Sequence, residues 1–141
     1  MKKIVRESLD EEPYVDYEEP DVDEFGTIRW HNEDGELHRE DGPAVEGADG
    51  SKFWFINGKS HREDGPADIW ADGSKSWFIN GERHREDGPA EICSSGDKEW
   101  YINGELHRED GPAVEYADGD KEWWLNGIRQ PDYFGKKRKQ T

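Results

Sequence analysis

The stretch His38–Ala44, with the sequence His-Arg-Glu-Asp-Gly-Pro-Ala, recurs unchanged at residues 61–67, 84–90 and 107–113. The four copies follow one another at a constant spacing of 23 residues. A short fixed period indicates supersecondary units that cannot each bury an apolar face alone and that stack on their neighbours. The repeat therefore predicts a linear array of units rather than a thick globular core.

Each unit also contains two turn signals, and no segment shows a sustained helical period. Both kinds of pair favour two-residue hairpin loops in which φ is positive. The first kind is Asn-Gly, at 57–58, 80–81, 103–104 and 126–127, and the second is Asp-Gly at 49–50, 72–73 and 118–119, with Ser-Gly at 95–96. We therefore expect an all-β fold, an elongated single-layer array of stacked hairpins with about four and a half repeats over residues 26–128.

The ends of the array differ from its middle. Gly26–Trp30 aligns with Gly50–Trp54, but one extra residue follows, so we expect a bulge or longer loop near residues 32–34. Residues 1–25 are rich in Asp and Glu and are expected to be extended or to cap the first unit. Residues 129–141 are expected to hold cap residues and a basic tail.

The composition limits the classes of partner. The chain has 141 residues, a formal net charge of -16, 38% charged residues and one cysteine. Such acidity argues against direct binding of nucleic acid or of a membrane, and it favours a protein partner with a basic surface. The single Cys93 cannot form an internal disulfide, which fits a reducing cytoplasm. No long apolar run or secretion signal is evident.

Strand alternation around a two-residue Asp-Gly loop would place two apolar rows on one face, and we expect these rows to form the structural core. Gly47 and its equivalents Trp70, Cys93 and Tyr116 would lie beside them. Val45 would share this face, and Glu46 would lie on the other. The rows are Trp54, Trp77, Trp100 and Trp123, and Ile56, Ile79, Ile102 and Leu125.

The opposite face would then carry a second aromatic row with little material to cover it. An exposed stripe of that kind usually marks an interaction surface, for a partner protein or for a second copy of the chain in a homo-oligomer. The expected partner-binding residues are Phe55, Phe78, Tyr101 and Trp124, with the acidic residues Glu46, Glu99, Glu115 and Glu122.

The His-Arg-Glu-Asp motif is the strongest candidate for chemistry, but its fourfold recurrence indicates a structural role. Stacked hairpins place successive His residues roughly 10 Å apart, whereas zinc ligands lie within about 2.3 Å of one ion. We therefore expect no catalytic residues, no metal site and no cofactor. Each Arg is expected to pair with carboxylates, and each Asp to accept backbone N–H bonds at the Gly-Pro corner.

The pattern Lys-x-Trp-aromatic-aliphatic-Asn-Gly followed by His-Arg, with Tyr-Ala-Asp-Gly-Asp-Lys at Tyr116–Lys121, resembles the MORN repeat. The link His-Arg-Glu-Asp-Gly-Pro-Ala and the lack of a second hairpin Gly depart from the usual motif. The resemblance implies an elongated single-layer β structure used for protein binding, self-association or scaffolding, without catalytic residues. Divergent repeats of this type are encoded by bacteria, bacteriophages and large viruses. A viral inhibitor that occludes a host defence protein in the host cytoplasm would fit this distribution.

Two alternatives stay open. The net charge also fits a DNA mimic that inhibits a nucleic-acid-binding protein, although carboxylates recurring roughly every 10 Å do not copy duplex charge, which recurs about every 1.7 Å. Repeated hairpins with exposed rings could instead bind carbohydrate or choline-type ligands, which stack on aromatic side chains.

Overall fold

The computed structural model describes residues 19–131, which contain strands and turns and no helix, and hence no helix that could span a membrane. Most strands have two residues. In chain order they are β1 Asp21–Val22, β2 Ile28–Arg29, β3 Val45–Glu46, β4 Lys52–Phe53, β5 Phe55–Ile56, β6 Lys59–Ser60, β7 Asp68–Ile69, β8 Lys75–Ser76, β9 Phe78–Ile79, β10 Glu82–Arg83, β11 Glu91–Ile92, β12 Lys98–Glu99, β13 Tyr101–Ile102, β14 Glu105–Leu106, β15 Val114–Glu115, β16 Lys121–Leu125 and β17 Ile128–Gln130.

Eleven strands form one antiparallel sheet, here called the main sheet, in the order β1-β2-β3-β4-β7-β8-β11-β12-β15-β16-β17. Each of the first three full units adds two neighbouring strands, and three further hairpins, β5-β6, β9-β10 and β13-β14, stand beside the sheet. With strands about 4.8 Å apart, the main sheet is about 48 Å long. The all-β fold and the elongated single sheet are thus confirmed.

The three separate hairpins, here called the side hairpins, turn at the Asn-Gly pairs as the sequence predicts. Asn57 has a φ of 49° and Gly58 a φ of 80°, and Ile56 pairs with Lys59 across the two-residue loop. Both central residues are in the left-handed region of backbone conformation, as in a type I′ turn. The twist of this turn matches the twist of the two strands that it connects. In the last unit β16 is continuous and pairs directly with β17.

The predicted two-residue Asp-Gly loop is wrong. The Gly47 N–H donates to the Ser51 carbonyl at 2.7 Å and the Gly50 N–H to the Gly47 carbonyl at 2.9 Å, which leaves a three-residue loop. Gly50 takes a φ of 95°, and Asp49 Oδ1 accepts the Ser51 N–H at 2.9 Å. The Asp side chain favours this loop by mimicking a turn, and Gly supplies the left-handed residue that follows it.

The longer loop shifts the register by one residue, so that Val45 pairs with Phe53 and Glu46 with Lys52. A shift of one residue moves every side chain of a strand to the other face. Val45 therefore shares a face with Phe53 and Phe55, here called the aromatic face. Glu46 lies on the opposite side, here called the grooved face, with the Trp and Ile rows.

Trp70 and Tyr116 also lie on the aromatic face, not beside the Trp row as expected. The Trp70 ring meets the Phe53 ring edge-on, with centroids 5.8 Å apart. The Tyr116 hydroxyl donates to Glu122 Oε2 at 3.1 Å. The register shift accounts for both corrections, because these residues precede the three-residue loop.

The core is thin and lies where the main sheet meets the side hairpins. The Trp and Ile rows are only partly buried there, and so is the row at Phe55, Phe78, Tyr101 and Trp124. Small side chains fill the fully buried positions on the grooved face, and the residues with 0% exposure there are Ala44, Ala67, Ala90 and Ala113.

The two ends of the array are modified units. The first turn spans Asn32–Gly35, where Gly35 has a φ of 81°, which confirms the predicted longer loop. The strand β1 extends the sheet edge by pairing Asp21 with Arg29. At the other end β17 continues to Gln130, two residues past the expected limit of the repeats. The rest of the acidic segment and the basic tail lie outside the described residues.

Candidate functional site

Each motif arginine is fixed by three kinds of contact. The Arg62 guanidinium carbon lies 3.9 Å from the centroid of the Trp54 ring of the same unit. Its Nε donates to Asp64 Oδ1 and its Nη1 to the Pro66 carbonyl, each at 3.1 Å. A Cβ at Gly65 would lie 2.9 Å from the guanidinium carbon, which explains the glycine of the motif. This set of contacts, the Arg on the Trp ring and its hydrogen bonds to the Asp and the Pro carbonyl, is here called the clasp. It recurs for Arg39 on Trp30, Arg85 on Trp77 and Arg108 on Trp100.

The clasp confirms that the arginines pair with carboxylates and corrects the expectation for the motif aspartates. Asp64 accepts the Arg62 side chain, and not a backbone N–H at the Gly-Pro corner. The last Trp of the row differs from the others, because Pro131 stands where the motif would supply Arg. Within residues 19–131, the contact between a motif Arg and a Trp thus occurs at all four copies of the motif.

Each motif histidine joins its unit to the next. His61 Nδ1 accepts the N–H of Asn80, from the following side hairpin, at 2.9 Å. This bond assigns the proton to Nε2, which lies 3.4 Å from Glu63 Oε2. The Arg62 N–H also donates to the Phe78 carbonyl at 3.1 Å. Equivalent bonds link all four motifs to the next turn, so the histidine has a structural role in every unit.

Three open grooves lie between neighbouring motif loops on the grooved face. Trp54 and Ile56 line the first groove, together with residues 39–42 of one loop and 61–64 of the next. The same positions of the following units line the second and third grooves, with Trp77 and Ile79 and with Trp100 and Ile102. The volumes are about 700, 850 and 740 Å³. The same type of groove, with equivalent lining residues, therefore occurs three times along the array.

The groove rims are acidic. The side chains of Glu63 and Asp64 are 83% and 89% exposed, whereas that of Arg62 is 25% exposed. Because each Arg is paired with its Asp and each His is neutral in this bonding pattern, every loop keeps one unbalanced carboxylate. In two units a further carboxylate meets the Arg, with Glu46 at 3.1 Å from Arg39 and Glu115 at 3.0 Å from Arg108.

The partner-binding residues predicted from the sequence are divided between the two faces. Glu99 and Glu122 lie on the aromatic face with the aromatic row, but Glu46 and Glu115 lie on the grooved face because of the register shift. The Tyr101 hydroxyl donates to Glu99 Oε1 at 2.8 Å, and Trp124 Nε1 donates to Glu122 Oε1 at 2.9 Å. Burial raises the pKa of Tyr101, and the bond to Glu99 raises it further.

The aromatic face also holds a polar cluster that the repeated motif does not predict. The Arg83 guanidinium lies 5.2 Å from the Phe78 ring centroid and 5.6 Å from that of Tyr101, and its Nε donates to Glu91 Oε1 at 2.6 Å. Asp68 pairs with Ser76 across the sheet, and Asp68 Oδ1 and Ser76 Oγ are buried without a hydrogen-bond partner.

Burial raises the pKa of Asp68 to about 6, although Arg83 opposes the rise and Glu91 adds to it. The signal for this cluster was present in the sequence as departures from the repeat. Asp68 and Glu91 stand where the outer units have Val45 and Val114, and Ser76 stands where the first full unit has Phe53. The polar cluster is therefore identified by positions that differ between copies of the repeat, and not by the identical motif.

Among residues 19–131, no group of three or more His, Cys, Asp and Glu side chains is placed to hold a metal ion. Comparison with known protein families found no family that matches this chain, and comparison with curated proteins found no match either.

Proposed function

We propose that this chain is a non-enzymatic, MORN-like binding module for a partner protein with a basic surface. The observation that carries the proposal is the threefold recurrence of one groove with an acidic, highly exposed rim. A repeated surface suits recognition of an extended partner, because each copy can make the same contact. The rim carboxylates supply the charge that steers a basic protein to the surface.

The structural use of the motif supports a binding function over catalysis. Arg62 is stacked on Trp54, and His61 is bonded to the next turn. These side chains hold the loops in place, whereas a catalytic centre needs one asymmetric set of groups around a reacting atom. The groups left exposed are carboxylates at the rim, which suit ion pairing with a partner.

The proposed mechanism is occlusion. A sheet about 48 Å long, by strand spacing, can cover most of one side of a small protein domain. A basic nucleic-acid-binding protein or nuclease of a host cell is the class of target that both the charge and the MORN resemblance favour. In that setting the chain would act as an inhibitor in the host cytoplasm.

The geometry favours this function over its two alternatives. Rim carboxylates recur roughly every 10 Å, far more widely than the charges of duplex DNA. One side of each clasped Trp is occupied by a motif Arg, as Arg85 occupies Trp77, and this leaves less ring surface for a sugar or a choline-type ligand.

Capture of partners from cell lysate on the immobilised full chain tests the proposal. We expect the recovered proteins to be basic and to elute as salt rises, because exposed ion pairs are screened. The test variant replaces the motif glutamates Glu40, Glu63, Glu86 and Glu109 by Gln, which removes four rim charges.

The control variant removes four charges from exposed positions away from the motif loops, with Glu24→Gln, Glu33→Gln, Asp34→Asn and Asp120→Asn. The test variant should lose the recovered proteins and the control should keep them. Equal recovery by both variants, or partners without a basic surface, would contradict a function based on the groove rims.

A further inference from the structure

The distance between neighbouring grooves can be compared with the distance between equivalent side chains in each backbone conformation of a bound peptide. Each of the first three full units adds two strands to the main sheet, so neighbouring grooves lie roughly 10 Å apart. A polyproline II segment has three residues per turn and rises about 3.1 Å per residue, so its equivalent side chains recur every 9 Å or so. In a β-strand, side chains on one face recur about every 7 Å or 13 Å, which does not match the grooves.

The interior of each groove suits a long cationic side chain. Ile79 and the side of the Trp77 ring that Arg85 leaves uncovered provide partly buried apolar surface for methylene groups. The two motif arginines that line the groove are each paired with an Asp, and the rim provides further carboxylates for the charged end. The two loops that bound the second groove contribute Glu63 and Glu86, whose side chains are 83% and 82% exposed. A guanidinium or ammonium group in the groove would form a charge-assisted hydrogen bond with one of these carboxylates.

We propose that the grooved face binds an extended polyproline II segment of a partner protein that carries arginine or lysine at every third residue, one side chain per groove. The inference rests on the proposed function, since it names the chemistry of the partner at the same surface. Aromatic-lined grooves are a recurring way to bind this conformation, which is already extended before binding and so loses little entropy.

The test uses the full chain and labelled synthetic peptides in fluorescence anisotropy. The probe is a dodecamer of four Pro-Pro-Arg repeats, which is long enough for three adjacent grooves. The matched peptide has the same composition with its arginines contiguous. We expect the regularly spaced peptide to bind at least about tenfold more tightly, because only its side chains can enter several grooves at once.

Two variants locate the contact. Glu63→Gln with Glu86→Gln changes a rim residue of every groove and should weaken binding of the spaced peptide by about threefold to thirtyfold, as the loss of two exposed ion pairs would. Glu33→Gln with Asp34→Asn removes the same charge from the first turn and should leave the affinity unchanged.

A third peptide tests conformation, because positions seven residues apart on a helix also recur at about 10.5 Å. Tighter binding of a helical peptide with arginine at every seventh residue would overturn the polyproline II assignment. Equal binding of the spaced and contiguous peptides would overturn the proposal that arginines at every third residue match the spacing of the grooves. In both cases the proposed function stands if basic proteins are still recovered from lysate, and it fails with the inference if they are not.

Discussion

At the residue scale, the stacking of each motif arginine on a tryptophan is the contact that the sequence could not specify. The guanidinium carbon lies over the ring, at 3.8 to 4.0 Å from its centroid, while the guanidinium nitrogens donate to an Asp and to a Pro carbonyl. A planar group with donors in a fixed fork can make all these contacts together, whereas an ammonium cannot. The clasp therefore depends on arginine itself and not on positive charge.

Replacement of Arg85 by Lys should consequently destabilise the protein, by about 1 to 2 kcal/mol, through loss of the stack on Trp77 and the bond to the Pro89 carbonyl. The free energy of unfolding from urea titration measures the effect. The exposed Lys75 provides a control, and Lys75→Ala should change stability by less than about 0.5 kcal/mol. Equal stability of Arg85→Lys and the parent would show that the stack contributes nothing.

Asp68 should make stability depend on pH in the opposite sense to most carboxylates. Its folded pKa is raised to about 6 from the ordinary 3.8, so the folded protein binds more protons than the unfolded chain between these values. Stability therefore falls as pH rises from about 4 to 6. Asp68→Asn should remove this contribution, and its melting temperature should exceed that of the parent at pH 7 but not at pH 4. A variant less stable than the parent at pH 7 would contradict this assignment.

At the element scale, the histidines tie each motif loop to the next side hairpin. His84 Nδ1 accepts the Asn103 N–H at 3.0 Å, where Asn103 has a φ of 50°. The side hairpins otherwise contact their neighbours through few backbone bonds, such as that from the Gly104 N–H to the Arg83 carbonyl. One imidazole thus orients a turn in the following unit.

The variant His84→Ala should remove the acceptor for the Asn103 amide and lower overall stability only modestly, by about 1 kcal/mol. Hydrogen exchange of single amides measures the local effect. The Asn103 amide should exchange faster in the variant, while the Asn126 amide, which is bonded to His107, should be unchanged and serves as an internal control. Unchanged protection of Asn103 would mean that the imidazole does not hold the turn in solution.

At the scale of the whole molecule, the two faces of the array offer different surfaces. The grooved face has acidic rims, and the aromatic face has a row of partly buried rings whose polar atoms are bonded to Glu99 and Glu122. The prediction that this row associates with a partner or with a second copy stays a prediction. It is separable from the grooves because the two sets of residues lie on opposite sides of one sheet.

The double variant Phe78→Ser with Tyr101→Ser should weaken association more than it weakens folding, because partly exposed rings lose apolar contact with a partner. Sedimentation measures the oligomeric state and pull-down measures partner recovery, on variant protein that is shown to be folded. If both match the parent while thermal stability collapses, the row belongs to the core and not to an interface.

The sequence determined the features that depend on neighbouring residues in the chain. The 23-residue period requires equivalent units, the Asn-Gly pairs require left-handed turns, and alternation along residues 52–56 places Trp54 and Ile56 together on one face. Each of these follows from local sterics or from the two-residue period of a strand. The extra residue in the first turn was likewise visible as a change of spacing.

Features that depend on pairing across strands became visible only in the folded array. One additional loop residue at Asp49-Gly50 reversed the faces of Val45 and Glu46, and an Asp-Gly pair is compatible with both loop lengths. The buried pair of Asp68 and Ser76 arises from strand pairing within one hairpin. The three grooves arise between units, from motif loops that are 23 residues apart in the chain. Register and inter-unit contact depend on how the whole array packs, and a repeated motif specifies each unit but not the surface formed where two units meet.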